Sequence, residues 1–419
     1  VSESSGQLAI VNIGQLVTLA GPARPRTGAE MRELGLIHEA ALLIEEGCIA
    51  DAGRYVDLRS RIAPNAKVID AGGSLVMPGF VDAHTHLVFA GNRAGEYEQR
   101  IGGATYQEIA AAGGGIQSTV ALTRAASEDE LLVEAHRHRD WMLRGGTTTM
   151  EAKTGYGLDY ETELRLLRVL ARLAQEGPAR IVSTVLAAHT VPREMASRRD
   201  EYIRMIVEEL LPEVAREGLA RYCDAFCDDH AFTVDETRHV LATAKRLGFG
   251  LRIHAEQFRP GTGAALGAEL GAATVDHLET VTEETLHQLR DANVQPVLLP
   301  ASVFCLSRTQ YPPARTMIEL GLPVVLATDF NPGSAPAPSM PLTLSLACLQ
   351  MRMLPSEALV AATINAAYSL NLGGEVGSLE PGKAADFLIH ECRDYRELAY
   401  YAAAPFRPRV FLAGREVTP

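Results

Sequence analysis

The chain has 419 residues, 47% of them hydrophobic and 22% charged, a globular composition with ample material for a core. That length fits one large α/β domain with a small satellite. A formal net charge of -13 argues against nucleic acid or an anionic membrane as partner, and leaves open a small anionic substrate that feels only its pocket.

The opening VSESSGQLAIVNIG has no basic segment followed by an apolar one, so no signal peptide is expected. No apolar run approaches the roughly 18 residues that span a bilayer. The first seventy-odd residues read as short strands, QLAIVNIGQLVTLA and EAALLIEEGCIADAGRY, with Glu46-Gly47 as a hairpin turn. Next come eight apolar strand candidates in alternation with helical patterns: GFVDAHTH, TTTMEAKT, RIVSTVLAAH, RYCDAFCD, GLRIHAEQ, TVDHLE, VQPVLLP and PVVLATDF. A helix such as YETELRLLRVLARLAQEG carries Leu and Val at i, i+3, i+4 spacing and stops at Gly. The insertion GNRAGEYEQRIGGATYQEIAAAGGGIQSTV follows the first of these strands, and its glycines suggest a loop over the mouth. KAADFLIHE and RPRVFLAGREVTP close the chain with strand character again.

Eight strands in alternation with helices predict an α/β fold, a (β/α)8 TIM-like barrel over residues 76–374. Residues 1–75 together with 375–419 are expected to form one small β-sandwich domain built from both termini. The six cysteines (Cys48, Cys223, Cys227, Cys305, Cys348, Cys392) show no paired framework. Cys223 and Cys227 would lie roughly 13 Å apart along one strand, too far for a disulfide, so core thiols in a reducing cytoplasm are expected.

Within VMPGFVDAHTHLVFAGNR, side chains two apart in a strand share a face, so Asp82, His84 and His86 point one way and Ala83 and Thr85 the other. Two imidazoles on one face suggest a metal site; a hydrogen-bonded core pair is the plain alternative. Barrel chemistry gathers at the C-terminal strand ends. Those ends carry His84 and His86, then Glu151, Lys153 and Tyr156, then His189, His254 and Gln257, His277, and Asp329. Each alone is weak; together they mark a site. A second His-x-His, EAHRHRDW with His136 and His138, sits in a helical pattern where residues two apart diverge by about 200°. With Arg137 and Arg139 beside it, a solvated helix face is expected.

Three imidazoles and a carboxylate suit Zn²⁺ or iron, which would bring the pKa of a bound water to about 7. Asp329 could bind the ion and take a proton, and a neutral His277 could orient the nucleophile or polarise a carbonyl. Lys153 could be carbamylated between two metals, but Glu151 beside it favours a buried ion pair and one metal. There is no G-x-S-x-G elbow and no P-loop. GTGAALGAELG (Gly261 to Gly271) follows Pro260 and reads as a small-residue helix packed on the barrel, not as a dinucleotide fingerprint.

MPGFVDAHTH, the His254 strand, DHLE, ATDFNPGS and INAAYSLNL with GSLEPGKAADFLI together resemble the amidohydrolase superfamily over nearly the whole chain. The longer stretches HTHLVFAGNRAGEYEQRIGGATYQEIAAAGGGI, EAKTGYGLD, AAHTVP, HAEQF and TDFNPGS are most similar to the member family that hydrolyses 4-imidazolone-5-propanoate to N-formimidoyl-L-glutamate in histidine breakdown. The resemblance implies one Zn²⁺ or Fe²⁺/Fe³⁺ per subunit, held by His84, His86, His254 and Asp329. It implies substrate contacts from Arg93, Tyr156, His189, Gln257, Asn331, Gly333 and Ser334, and a homodimer. Asp329, His277 and Gln257 are the candidate catalytic residues, although an amide such as Gln257 cannot take a proton and serves only as a hydrogen-bonding group. Ser334 stands where Thr is more usual in the family, a change that keeps the hydroxyl. The rival readings are a purine or pyrimidine deaminase, which would carry Glu where Gln257 stands, and a metal-free binding or assembly relative.

Overall fold

A computed structural model describes residues 6–104, 108, 113–228 and 231–418. Five strands at the beginning of the chain, β1 (Leu8–Val17), β2 (Leu36–Glu45), β3 (Cys48–Arg54), β4 (Lys67–Asp70) and β5 (Leu75–Pro78), share one mixed sheet with three from its end. In that sheet β14 (Phe387–Ile389), β15 (Arg409–Leu412) and β16 (Arg415–Val417) continue antiparallel from β5, and β1 lies between β5 and β2. The β2–β3 hairpin turns at Glu46 and Gly47, whose φ of 51° and 79° give the doubly left-handed turn that matches strand twist. The expected sandwich is one sheet curled on itself: Cys48 bridges Ala384, and the Ala385 amide donates to the Gly47 carbonyl. Ile10, Leu42 and Ile44 thereby share a core with Phe387 and Phe411, whose rings stack at 4.4 Å.

The chain passes from β5 through Gly79 into a second sheet. Its eight strands are β6 (Phe80–Asp82), β7 (Thr147–Lys153), β8 (Arg180–Ala188), β9 (Tyr222–Cys227), β10 (Gly250–Ala255), β11 (Thr274–His277), β12 (Gln295–Leu298) and β13 (Val325–Leu326). They pair in parallel, each with the next in the chain. The ring closes where Thr85 bridges Phe330, with the Asp329 amide donating to the His84 carbonyl and the His86 amide to the Phe330 carbonyl. Asp82 reinforces that seam, its carboxylate accepting from the Thr328 hydroxyl at 2.6 Å and from the Thr328 amide. Outside the ring, helices such as Tyr160–Gln175, begun by the Asp159 cap, press Leu164, Leu166, Leu167 and Leu170 onto the strands. The eight strand candidates and the (β/α)8 architecture expected from the sequence are therefore present.

The helix Gly263–Leu270 packs as its small residues suggest: a Cβ at Gly263 would stand 3.0 Å from those of Ala255 and Cys227. All six cysteines are free, and no helix among the described residues is long and apolar enough to cross a membrane. Two expectations need comment. Of the insertion read as a loop over the mouth, helices Ala94–Ile101 and Ile116–Ala125 are described, while Thr105 to Gln107 and Ile109 to Ala112 lie outside the described residues, as do the first five residues of the N-terminus. The reading of EAHRHRDW as a solvated face holds for His136 and Arg137 but is corrected for His138 and Arg139, which are buried. His138 falls on the same face of helix Glu128–Arg144 as Leu131, Ala135 and Met142. It stacks on Phe89 at 4.4 Å and donates from Nδ1 to the Leu87 carbonyl at 3.0 Å, so an inward-facing imidazole is satisfied there.

Candidate metal centre

The C-terminal ends of the barrel strands converge on one spot. His84 and His86 follow β6, His254 lies on β10, His277 ends β11 and Asp329 follows β13. The His84 ring centroid is 4.5 Å from that of His254, 5.5 Å from His86 and 5.8 Å from His277. Two triads of ligand atoms, His84 with His86 and Asp329 and His84 with His254 and His277, each gather within 4.8 Å, and His84 belongs to both. Oδ1 of Asp329 is 3.5 Å from Nε2 of His84 and equally 3.5 Å from Nε2 of His86. Among the described residues, neither Nε2 of His84 nor Nε2 of His254 has a hydrogen-bond partner, although both are buried. A core pair of histidines would satisfy each other; these leave their nitrogens facing a common centre, the arrangement a cation satisfies.

Behind the histidines stands a second row of charge. Asp276 accepts from Nδ1 of His84 at 2.6 Å, and Asp224 from Nδ1 of His254 at 3.1 Å. A proton held on Nδ1 leaves Nε2 free as a lone-pair donor toward the centre. Lys153 binds that row together, with Nζ 2.8 Å from Asp224, 2.9 Å from Glu151 and 3.8 Å from Asp276. Arg252 approaches Asp276 to 3.7 Å and donates to the Ala83 carbonyl. These five side chains are fully buried, two cations against three acids, a balance that favours a further cation at the histidines. Burial alone would raise the Asp224 carboxyl, but the neighbouring His254 and Lys153, each also hydrogen-bonded to it, outweigh that and hold it far below the usual range. Burial, aided by Lys153 in the one case and His189 in the other, pushes the His84 and His86 imidazoles well below their ordinary pKa, toward the neutral form that binds metal. The Lys153 ammonium sits among carboxylates, as the ion-pair reading of that residue expects.

Two groups facing the centre carry local features of their own. His277 has φ of 80° and Asp329 of 55°, left-handed backbone in which only over-determined side chains persist. Burial opposes a charge on His277, yet Glu279 at 3.4 Å from its Nδ1, with Asp329, more than offsets it, so in the protein alone its pKa is above ordinary and not biased to neutrality.

Of the remaining sequence candidates, Tyr156, His189, Asn331 and Ser334 touch the cluster directly and Arg93 meets Gly333. Tyr156 is buried with its ring 5.8 Å from that of His86 and 5.6 Å from that of His189, and His189 stacks on His86 at 5.2 Å. Burial raises the Tyr156 phenol and the neighbouring Arg93 charge partly offsets this, so the hydroxyl stays protonated as a donor. Arg93, at the head of helix Ala94–Ile101, has a buried Nε without a hydrogen-bond partner among the described residues, and its guanidinium lies so close to Gly333 that any Cβ there would collide with it. Asn331 uses its side chain within the loop: Oδ1 accepts from the Gly333 and Ser334 amides at 2.8 Å, and Nδ2 donates to the Asp329 carbonyl and to Oγ of Ser334. Ser334 in turn donates to Oδ2 of Asp329 at 3.4 Å. Gln257 is buried just beyond β10.

Sequence reasoning passed over Asp224, Asp276 and Arg252. Their signal was available, since each is a charged residue inside an otherwise apolar strand (RYCDAFC, TVDHLE, GLRIHA), which burial makes costly unless paired.

Comparison with known proteins gives three findings. A family model described as "Amidohydrolase family" matches residues 75–410. A curated imidazolonepropionase from Solibacter usitatus is 55% identical over 407 residues, covering 97% of each chain, and one from Symbiobacterium thermophilum is 46% identical over 411 residues, covering 97% of this chain and 96% of its own. Among solved structures, an adenosine deaminase from Xanthomonas campestris with bound zinc superposes with a TM-score of 0.71 at 19% identity, covering 98% of this chain and 92% of its own. That last likeness speaks to the fold alone.

Proposed function

The chain belongs to the amidohydrolase family, and from that membership we propose that it hydrolyses 4-imidazolone-5-propanoate to N-formimidoyl-L-glutamate, a step of histidine breakdown. It is a hydrolase of a C–N bond in a cyclic amide. The observation that carries the reading is the gathering of His84 with His86 and Asp329, and of His84 with His254 and His277, with unpartnered buried nitrogens, in a chain 55% identical to a curated imidazolonepropionase.

The family implies a divalent ion. In our reading His84, His86, His254 and Asp329 would hold one Zn²⁺ or iron ion per subunit. When bound, the ion supplies Lewis acidity and activates a water near neutral pH. Asp329 takes the proton of the attacking water and passes it to the ring nitrogen that leaves, its carboxylate steadied by the Ser334 hydroxyl. His277 donates to the carbonyl oxygen as charge develops there. Arg93 offers its two-pronged guanidinium to the propanoate carboxylate, while Tyr156, His189 and Gln257 hydrogen-bond the ring and its arm. Asn331 and Gly333 shape the loop that receives them. We place the enzyme in the cytoplasm as a homodimer, with residues 1–75 and 375–419 as one domain and 76–374 as the barrel.

The direct test supplies imidazolone propanoate made by urocanase and follows its ultraviolet absorbance on addition of the protein. The absorbance is expected to fall with appearance of formimidoylglutamate; an unchanged trace with metal-replete protein overturns the proposal. The carboxylate role of Arg93 has its own check. Arg93→Ala is expected to raise KM by about 10- to 100-fold with little change in kcat, as loss of a bidentate charged contact does. Gly333→Ala, which drives a methyl into that guanidinium, is expected to raise KM in the same sense. Unaltered KM in both removes Arg93 from that role.

A further inference from the structure

Glu163 is a fully buried acid in the first turn of helix Tyr160–Gln175, outside the histidine cluster. Its carboxylate accepts from the amides of Gly155 at 3.2 Å, Gly157 at 2.8 Å and Leu158 at 2.9 Å. Those three amides bracket Tyr156. The loop bends to offer them, with φ of 105° at Gly155 and 54° at Leu158. A Cβ at Gly157 would stand 2.8 Å from the Glu163 amide and 2.9 Å from its Oε1, so the glycine is what lets the carboxylate approach. From the opposite side Arg124 donates Nε to the Gly157 carbonyl at 2.6 Å and Nη2 to the Leu158 carbonyl at 2.9 Å. The same short segment reaches the mouth twice. It carries the Tyr156 ring against His86, and its Gly155 carbonyl accepts from Nδ1 of His189 at 3.0 Å, leaving Nε2 of His189 as an acceptor.

We infer that Glu163 is a positioning residue: by collecting three amides it fixes the loop Gly155–Leu158, and through that loop both the Tyr156 hydroxyl and the His189 ring that meet the substrate. The inference rests on the substrate roles proposed above for Tyr156 and His189. A buried carboxylate is expensive without compensation, and here burial raises the Glu163 carboxyl while the Thr154 hydroxyl and the three loop amides offset part of that cost, so the acid is tied to the segment that places two polar side chains. Glu163 acts on substrate affinity and not on the ion, since it touches none of the four ligands.

Glu163→Leu is the test variant, with circular dichroism to report folding, because it keeps most of the side-chain volume and removes Oε1, the oxygen that accepts from all three loop amides. Holoenzyme carrying it is expected to keep its metal content, to raise KM about 10-fold and to hold kcat within about threefold of the parent. The decisive measurement is a double-mutant cycle with Tyr156→Phe, read in KM. If Glu163 acts through the loop, its substitution costs much less once the Tyr156 hydroxyl is gone. An unchanged KM in folded Glu163→Leu, or a penalty undiminished in the Tyr156→Phe background, overturns the inference. A Tyr156→Phe variant with normal KM would instead overturn the substrate role of Tyr156 itself, so the two failures are distinguishable. Arg124→Ala, which releases the loop from its other side, is expected to raise KM in the same direction with metal content intact.

Discussion

His254→Ala is expected to give folded protein that neither retains a divalent ion nor turns over imidazolone propanoate. The substitution deletes one of the unpartnered Nε2 atoms that face the centre. It leaves Asp224 with its shorter contact, 2.8 Å to Lys153, so the charge row behind the site still has its cation and the barrel keeps its core. Loss of an outer-shell partner alone lowers metal affinity by about 10- to 100-fold, and loss of the ligand itself is expected to exceed that. Elemental analysis after dialysis against a weak chelator, with circular dichroism to report folding, reads both halves of the expectation. Substantial turnover by metal-free variant protein would refute a metal-dependent mechanism, and full metal retention would remove His254 from the ligand set.

The second large effect is on stability. Lys153→Met is expected to destabilise the chain by about 3–5 kcal/mol, because it strips the shared cation from Glu151, Asp224 and Asp276 and leaves buried acids uncompensated. Arg252 is 3.7 Å from Asp276 and cannot replace the ammonium at Asp224 without moving off the Ala83 carbonyl. The loss has a functional shadow, since Asp276 and Asp224 hold the Nδ1 protons of His84 and His254. Urea unfolding followed by circular dichroism measures the change; a midpoint within error of the parent would mean that the three acids find other partners or protonate at little cost.

Much of this centre could be read along the chain. Side chains alternate across a strand with period two, and barrels put chemistry at the C-terminal strand ends, so His84, His86, His254, His277 and Asp329 announced themselves by position and type. The eight strands were legible because each is a short apolar run set off by turn residues, and the Glu46-Gly47 turn because its residue types fit a left-handed hairpin. His138 was misread because its helix pattern was judged by its arginine neighbours, while burial follows the 3.6-residue face shared with Leu131, Ala135 and Met142.

By itself, then, the order of residues determined the architecture, the mouth of the barrel and the kind of side chain gathered there, since these depend on periodicities that are local to each element. Only the tertiary structure decided which group meets which. Lys153, Asp224 and Asp276 come from β7, β9 and β11, alternate strands whose inward side chains share a layer once the barrel closes. Strand register and closure set that meeting across more than a hundred residues of chain, and no local pattern encodes them. The same holds for Glu163: its sequence marks it as one more acid in a helix's first turn, and the inward roll of that helix turns it into an acceptor for the loop that carries Tyr156.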